Sequence, residues 1–289
     1  MASKNNECPS FLSRVLAPVS LQEVSKVFFC KESLLITGEE MKFAFLPARS
    51  DLDLLIHRAE SDRAVFKGLR QARIVPRDAE DMFSAGATIC LTGLEVAHDA
   101  FDRLRSDAQR DLHFSGDITV RAYWSPTGGG FDVHYDPRVA TTLQITARKK
   151  WWYAAAPAHV FPLGNPSYPL DAALAEVLER SEIKSCVLTA GDVLCLPPGV
   201  LHWACAETES LAFNLAFDYL GGTAAEIIAS TLRYRLLESS ELRAPLFRDE
   251  DVTPLQRLRT GCLLACEILG RLADDPIALR AMWDHCIDA

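Results

Sequence analysis

The amino-acid sequence predicts a mainly β protein with flanking helices (α+β), built around a double-stranded β-helix, the jelly-roll barrel. Between residues 117 and 220, short alternating or apolar runs follow one another, separated by turns rich in Gly, Pro and charged residues. Antiparallel strands in such a series are typical of a barrel that buries a ligand at one mouth. On both sides of this region the apolar residues recur at helical spacing, which predicts helices there.

The composition indicates one large globular domain, or one domain with a helical appendage. The chain has 289 residues, 49% of them hydrophobic, and a mean hydropathy of +0.05. This length and hydrophobic content are ample for a buried core. The net charge of −9 and the pI near 5.3 argue against nucleic acid as the primary ligand, because phosphate binding needs clustered Lys and Arg. A basic peptide or protein substrate is compatible with this charge.

The sequence also indicates a cytoplasmic protein without a membrane segment. The first residues, MASKNNECPSF, contain no apolar stretch of the signal-peptide type, and no run reaches the roughly 18 apolar residues of a membrane span. The nine cysteines are odd in number and form no Cys-X-X-Cys motif, as expected in a reducing compartment. A zinc cluster of Cys186, Cys195 and Cys205 is the weaker alternative, because their spacing follows strands rather than a zinc knuckle.

The N-terminal part is predicted to combine helices with short strands. Residues 10 to 29 have helical spacing, SLLITG is typical of a strand, and residues 41 to 75 combine a short helix or loop with a strand and turn. Thr88–Leu91 is a further strand, followed by an amphipathic helix. Leu94, Phe101 and Leu104 can share a buried face there, whereas the histidines are expected on the surface or at helix flanks: His57, His98 and His113.

The strand-rich region contains an insert and is followed by a region in which the apolar residues recur at helical spacing. The insert, residues 157–180, combines an irregular loop with a short helix and is a natural lid or substrate wall. From Gly222 to Ala289 the spacing is helical, and Leu255, Leu258, Cys262 and Leu269 can share one apolar face. We therefore divide the chain into a barrel domain, residues 1–221, which includes the N-terminal helical segment, and a C-terminal helical region, residues 222–289.

Three residues within the strands form a candidate metal site. His134 and Asp136 are two residues apart, so on a strand their side chains point to the same side of the sheet. His202 follows a Pro-Pro-Gly turn. Two imidazoles and one carboxylate occupy one face of an octahedral Fe(II) and leave open positions for substrate chemistry. A His-X-Asp pair alone is a weak signal, but this pair with the later His and a Lys between them is specific.

Lys149 and Asn214 extend this interpretation to a co-substrate. An iron of this kind activates O2 with electrons from a co-substrate, usually a 2-oxo acid, whose distal carboxylate needs a cation. If residues 139–146 form one strand and the next begins near Lys149, its ammonium returns alongside the metal-binding strand. A Lys–carboxylate contact in a partly dry site is worth roughly 4 kcal/mol before desolvation. Asn214, on a strand after His202, is a candidate for orienting the co-substrate by hydrogen bonding.

At this point the residues resemble a family. RAYWSPTGGGFDVHYD, LQITARKKWW, GDVLCLPPGVLHW and FNLAF are similar, in order, to the JmjC and cupin-like 2-oxoglutarate-dependent oxygenases, above all the ribosomal oxygenases and the asparaginyl hydroxylase of hypoxia-inducible factor. The likeness extends from about Phe28 to Tyr219. It implies that the iron ligands are His134, Asp136 and His202, and that 2-oxoglutarate is bound by Lys149, Asn214 and Tyr123.

The sequence departs from the family pattern at two positions. Ala147 stands where many members have Gly before the Lys-containing strand, and Ala140 stands where some have a polar residue. The resemblance further implies C-terminal helices that support a homodimer, whereas the sequence alone also permits helices that merely pack on the barrel.

The expected activity is hydroxylation of a peptide or protein side chain, with Fe(II), 2-oxoglutarate and O2. Because Asp136 occupies the metal position that a halide would need, hydroxylation is favoured over halogenation. The alternatives are a small-molecule or natural-product hydroxylase with the same site, an N-demethylase and, in a different class, a non-catalytic cupin-type binding protein. His159 and Tyr168 of the insert are candidate substrate contacts, with ordinary loop residues as the alternative.

Overall fold

The structure is a computed structural model that describes residues 9–28, 32–67, 72–166, 170–244 and 254–288. The strands are β1 (Leu34–Ile36), β2 (Ser61–Val65), β3 (Ala72–Ile74), β4 (Thr88–Thr92), β5 (Asp117–Ser125), β6 (Gly130–His134), β7 (Val139–Thr146), β8 (Arg148–Ala154), β9 (Ile183–Thr189), β10 (Val193–Leu196), β11 (His202–Ala206) and β12 (Ser210–Asp218). The α-helices are α1 (Phe11–Leu16), α2 (Leu21–Phe28), α3 (Leu52–Arg58), α4 (Ala79–Ser84), α5 (Asp99–Leu112), α6 (Ala172–Arg180), α7 (Ala224–Leu237), α8 (Ser240–Arg243), α9 (Pro254–Ala273) and α10 (Pro276–Asp288).

The strands form two antiparallel sheets, and the predicted double-stranded β-helix is confirmed. The larger sheet has the order β1-β10-β7-β12-β5-β4-β2-β3, and the smaller sheet has the order β6-β11-β8-β9. From β5 to β12 the chain crosses repeatedly between the two sheets, as in a jelly roll. The inner faces of both sheets therefore contribute side chains to one interior.

Strand β5 shows how the sequence divides the two faces of the larger sheet. Its buried apolar residues alternate with polar ones, and the apolar set is Ile118, Val120, Ala122 and Trp124. Helix α5 covers apolar residues of the larger sheet, with the Phe101 ring centroid 4.7 Å from that of Phe213 on β12. The other face of β5 leaves polar groups inside the barrel.

The N-terminal region differs in one respect from the prediction. The single helical stretch expected over residues 10–29 is two helices, because α1 ends before Pro18 and the residue preceding a proline disfavours the helical conformation. The histidines predicted at helix flanks are confirmed. His98 Nδ1 accepts a hydrogen bond from the Ala100 amide at the start of α5, and His113 ends that helix with φ +47°.

The chain divides into two compact units, residues 1–113 with 117–218 and residues 114–116 with 219–289. The predicted division into residues 1–221 and 222–289 stays a prediction. In the second unit α7 and α10 contact α9. Of the residues that can share one apolar face of α9, Leu255, Leu258 and Cys262 are exposed and Leu269 is half-buried, and α9 has no buried residue. Among the described residues, no helix is long and apolar enough to cross a membrane.

Candidate active site

The two imidazoles and the carboxylate of the predicted triad meet at one end of the barrel. His134 is the last residue of β6 and lies directly opposite His202, the first residue of β11. One ligand atom from each of His134, Asp136 and His202 lies within 4.8 Å of the others. Asp136 itself follows the end of β6, but the alternation of side chains continues, because Tyr135 packs on the opposite side against Leu174 and Leu201.

Hydrogen bonds to the main chain fix which ring nitrogen of each histidine faces this point. His134 Nδ1 lies 2.7 Å from the carbonyl oxygen of Asp132, and His202 Nδ1 lies 2.8 Å from that of Val200. Since a carbonyl oxygen only accepts, both Nδ1 atoms carry the proton and both Nε2 atoms keep a lone pair. His202 Nε2 is 3.8 Å from Asp136 Oδ2, a separation that one ion about 2 Å from each atom can span.

The electrostatics of the triad favour the protonation states that metal binding needs. Burial, and then the neighbouring His134, lowers the pKa of His202 to about 4, so this imidazole is neutral at physiological pH. Burial alone would raise the pKa of Asp136, but the nearby His134 and His202, followed by Arg121 and Arg138, hold it below its ordinary value. The site therefore presents a neutral His202 imidazole beside an ionised carboxylate.

A tight turn positions the third ligand. The Gly199 amide donates to the Asp136 carbonyl oxygen at 2.9 Å, and the Ala158 amide donates to the Gly199 carbonyl oxygen at 2.8 Å. Gly199 has φ +78°, and a Cβ atom built on it would lie 1.7 Å from the His159 carbonyl oxygen. Only glycine fits there, so the Pro-Pro-Gly turn connects the segment carrying Asp136 to the strand carrying His202.

Lys149 lies deep in the barrel, near the end opposite the triad. It begins the inner face of β8 and is 0% exposed. Its ammonium donates to Ser125 Oγ at 2.8 Å, and lies 6.0 Å from the ring centroid of Tyr123 and 5.5 Å from that of Phe131. Burial lowers the pKa of Lys149 to about 8. Such a cation, with a hydroxyl as its hydrogen-bond partner, can bind a carboxylate that enters the barrel.

The other predicted co-substrate residues line the cavity that contains the triad, whereas Lys149 is not among the residues that line it. Tyr123 faces inward from β5, and burial raises the pKa of its phenol to about 12, so it stays protonated. Asn214 on β12 is 3% exposed, and its Nδ2 donates to Thr142 Oγ1 at 3.1 Å, which leaves its carbonyl oxygen available. Ala140 also lines the cavity and leaves open the space that a polar side chain would fill.

The cavity has a volume of about 260 Å³ and includes residues that the sequence analysis did not single out. Arg63, Arg121 and Arg138 line it, together with Asn165 of the insert. One of these residues could have been predicted from the alternation of side chains on a strand: Arg121 is two residues before Tyr123 and therefore faces the same side. Ser125, two residues after Tyr123, follows the same rule. The other contacts depend on how loops fold and have no such signal.

The two candidate substrate residues of the insert have different outcomes. His159 is exposed and does not line the cavity; its ring lies 5.7 Å from that of Tyr135, the residue between two triad members. Tyr168 lies outside the described residues. The helix of the insert, α6, packs through Leu174 against Tyr135. Substrate contact by either residue, and closure of residues 157–180 as a lid, stay predictions.

A jelly-roll barrel with two imidazoles and one carboxylate at one end is typical of the mononuclear non-haem iron oxygenases. The comparison with protein families agrees: residues 98–224, from the start of α5 to the start of α7, match the family described as JmjC domain. The likeness to the JmjC and cupin-like 2-oxoglutarate-dependent oxygenases thus covers less than half of the chain.

Several known proteins are similar to this chain. The uncharacterized protein YxbC of Bacillus subtilis is 23% identical over 265 residues, covering 81% of this chain and 78% of YxbC. Ribosomal oxygenase 1 of Gallus gallus is 22% identical over 81% of this chain, which spans 41% of that protein. A bifunctional lysine-specific demethylase and histidyl-hydroxylase, NO66 of Dictyostelium discoideum, is 24% identical over 62% of this chain, which spans 34% of that protein.

Solved structures share the fold. Escherichia coli ycfD superposes with a TM-score of 0.58 at 16% sequence identity, covering 93% of this chain and 71% of that one. A structure of the ribosomal oxygenase YcfD in complex with cobalt and 2-oxoglutarate has a TM-score of 0.56 at 15% identity with the same coverage.

Proposed function

We propose that this protein is an Fe(II)- and 2-oxoglutarate-dependent dioxygenase that hydroxylates a side chain of a peptide or protein substrate. One observation carries the proposal: three metal-binding atoms within 4.8 Å of one another share a barrel interior with a buried lysine that can hold a carboxylate. A triad alone would suit many metal sites. The combination with Lys149 suits a metal and a 2-oxo acid bound together.

The residues present fit both groups. His134 Nε2, His202 Nε2 and an oxygen of Asp136 would hold Fe(II), since each offers a lone pair toward the same point. When bound, Fe(II) and 2-oxoglutarate supply the activation of O2, and 2-oxoglutarate leaves as succinate and CO2. Because Asp136 takes a metal position, hydroxylation is favoured over halogenation.

Several residues of the barrel would bind and orient 2-oxoglutarate. Lys149 would bind its distal carboxylate, with Ser125 holding the ammonium in position at 2.8 Å. Tyr123 and Phe131 flank that ammonium with their rings and exclude water, which strengthens the ion pair. Asn214, whose amide nitrogen already donates to Thr142, would use its carbonyl oxygen to fix the co-substrate or a water on it.

The relatives support a protein substrate over a small molecule. The names of ribosomal oxygenase 1 and of the NO66 proteins describe enzymes that act on proteins. The NO66 name also includes demethylation, so N-methyl removal is the second candidate, and small-molecule hydroxylation is the third. A non-catalytic cupin-type binding protein is the alternative from another class, and it would not need Lys149.

Succinate release tests the proposal. The purified protein, loaded anaerobically with Fe(II) and then given 2-oxoglutarate and air, is expected to form succinate slowly alone and faster with a substrate peptide. Mass spectrometry of that peptide distinguishes a gain of one oxygen from the loss of a methyl group. A protein that binds neither Fe(II) nor 2-oxoglutarate would contradict the proposal, and would support the non-catalytic alternative.

The C-terminal helices support a further part of the proposal, a homodimer, while a cytoplasmic location stays a prediction. Large apolar side chains of α9 and α10 are exposed, including Leu255 at 75%, Ile277 at 82% and Trp283 at 42%. Apolar surface of this kind is typical of an interface. Sedimentation analysis is expected to give twice the chain mass of 32.0 kDa. A monomer at micromolar concentration would contradict it.

A further inference from the structure

Three arginines line the cavity that contains the triad. Arg63 comes from β2, Arg121 from β5 and Arg138 from the connection between β6 and β7. Among the described residues that line this cavity, Asp136 is the acidic one. The chain as a whole carries a net charge of −9. The cavity therefore concentrates positive charge in an otherwise acidic protein.

Two of these guanidinium groups are incompletely paired. Nε of Arg121 and Nε of Arg138 are buried, and neither has a hydrogen-bond partner within the described part of the chain. Arg121 also donates to the phenol oxygen of Tyr123, and both arginines act electrostatically on Asp136. A buried N–H without an acceptor is costly, more so on a charged group. The charge of these two groups is therefore incompletely compensated by the protein.

The groups of the proposed function leave this positive charge uncompensated. The two positive charges of Fe(II) would be balanced by one carboxylate of 2-oxoglutarate and by Asp136. Lys149 would be occupied by the distal carboxylate at the other end of the barrel. The guanidinium groups of Arg121 and Arg138 therefore remain without a counter-ion when metal and co-substrate are both bound.

The geometry points to an acidic substrate: we propose that the peptide presents an Asp or Glu side chain to Arg121 and Arg138, next to the metal triad. The inference rests on the proposed function for the presence of a substrate, and names its class. The two Nη groups of a guanidinium form a planar fork that matches a carboxylate, and both arginines line the cavity. The net charge of the chain alone is compatible with a basic substrate, whereas the charge of the cavity favours an acidic one.

Binding of a defined peptide library tests the inference. The full-length protein, loaded with Mn(II) and the inert 2-oxo-acid analogue N-oxalylglycine, is immobilised and exposed to a positional-scanning library of short capped peptides. Asp or Glu is expected to be enriched at one position, and the enrichment is expected to fall about 10-fold or more in Arg138→Met, because a buried charge pair is lost. Enrichment of Lys, Arg or His instead would overturn the inference.

Matched variants make the result specific. Arg148→Met removes a guanidinium from the outer surface, where it pairs with Glu207 at 2.9 Å, and is expected to leave the enrichment unchanged. Arg138→Glu is expected to shift the preference to Lys or Arg, an outcome that loss of folding cannot produce. Thermal unfolding of each variant shows that it is folded.

Additional measurements distinguish failure of the proposed function from failure of the acidic-substrate inference. Binding of Mn(II) and N-oxalylglycine is measured first, since its absence would contradict the proposed function rather than this inference. If Arg121→Met abolishes N-oxalylglycine binding but keeps the acidic preference, Arg121 belongs to the co-substrate site and the inference is wrong for that residue. Phosphoserine enriched above Asp and Glu, or free N-acetylaspartate competing as well as the peptide, would overturn the assignment to an acidic side chain.

Discussion

Replacing Lys149 by Met is expected to stabilise the protein in the absence of ligands while weakening 2-oxoglutarate binding. Lys149 is 0% exposed, and its ammonium has a hydroxyl, Ser125 Oγ, as its hydrogen-bond partner. Burial of a charge without a counter-ion opposes folding, and Met fills a similar volume without that charge. The same charge would then be what attracts the co-substrate carboxylate.

The magnitude follows from the pKa of Lys149. A fall from the ordinary 10.5 to about 8 corresponds to about 3 kcal/mol at pH 7, as an upper estimate. Between pH 8 and 10.5 the unfolded chain holds a proton that the folded chain has released, so the free energy of unfolding of the wild type rises with pH in this window. The advantage of Lys149→Met, about 1–3 kcal/mol at pH 7, is therefore expected to decrease through this window and to disappear only above about pH 10.5.

Urea unfolding of metal-free protein at pH 7 and pH 9.5 measures this difference, and titration of 2-oxoglutarate into the Mn(II)-loaded protein measures binding. Lys150→Met is the matched control, because Lys150 packs outside on the Trp152 ring at 4.9 Å. Its effect on stability is expected to stay within about 0.5 kcal/mol. A Lys149→Met variant that is less stable at pH 7, or that binds 2-oxoglutarate as well as wild type, would refute the reasoning.

Three more predictions concern the triad and its supports. His134→Ala and Asp136→Ala are expected to abolish both Mn(II) binding and succinate formation, whereas Lys149→Ala keeps Mn(II) binding; equal metal loss in all three would contradict the role of Lys149. Ala147→Gly is expected to raise the free energy of unfolding by about 1 kcal/mol, because Ala147 has φ +62°, and no gain in urea unfolding would count against strain there. Gly199→Ala is expected to weaken Mn(II) binding at least about 10-fold in isothermal titration, since its Cβ would lie 1.7 Å from a carbonyl oxygen. The control Gly164→Ala, with nothing within 4 Å, is expected to bind as wild type.

Much of the fold could be predicted because its signals are local. The strand expected over residues 139–146 is β7, the next strand begins beside Lys149 as expected, and Ala147 forms the turn between them. The helical flank positions of His98 and His113 followed from the apolar spacing of α5. The division of residues 10–29 into two helices was missed, although Pro18 carried the signal.

The residues of the candidate site were less predictable where they depend on contacts across the chain. His134 and Asp136 stand close in the sequence, and the alternation of side chains was enough to put them together. The lining by Arg63 and Arg138 follows from the pairing of β2 with β4 and from the loop after β6, which no local pattern encodes. The burial of Lys149 depends on the closure of two sheets over it.

His134 and His202 pair directly across β6 and β11. Metal binding therefore requires that the strands of the barrel have already paired. These residues belong to sequence-distant strands, so the chain gains its affinity for the ion only after the long-range pairs have formed. An ion that binds the folded state alone stabilises every element that must be in place to hold it. Removal of the ion is thus expected to lower the free energy of unfolding of the whole barrel, as well as to abolish turnover.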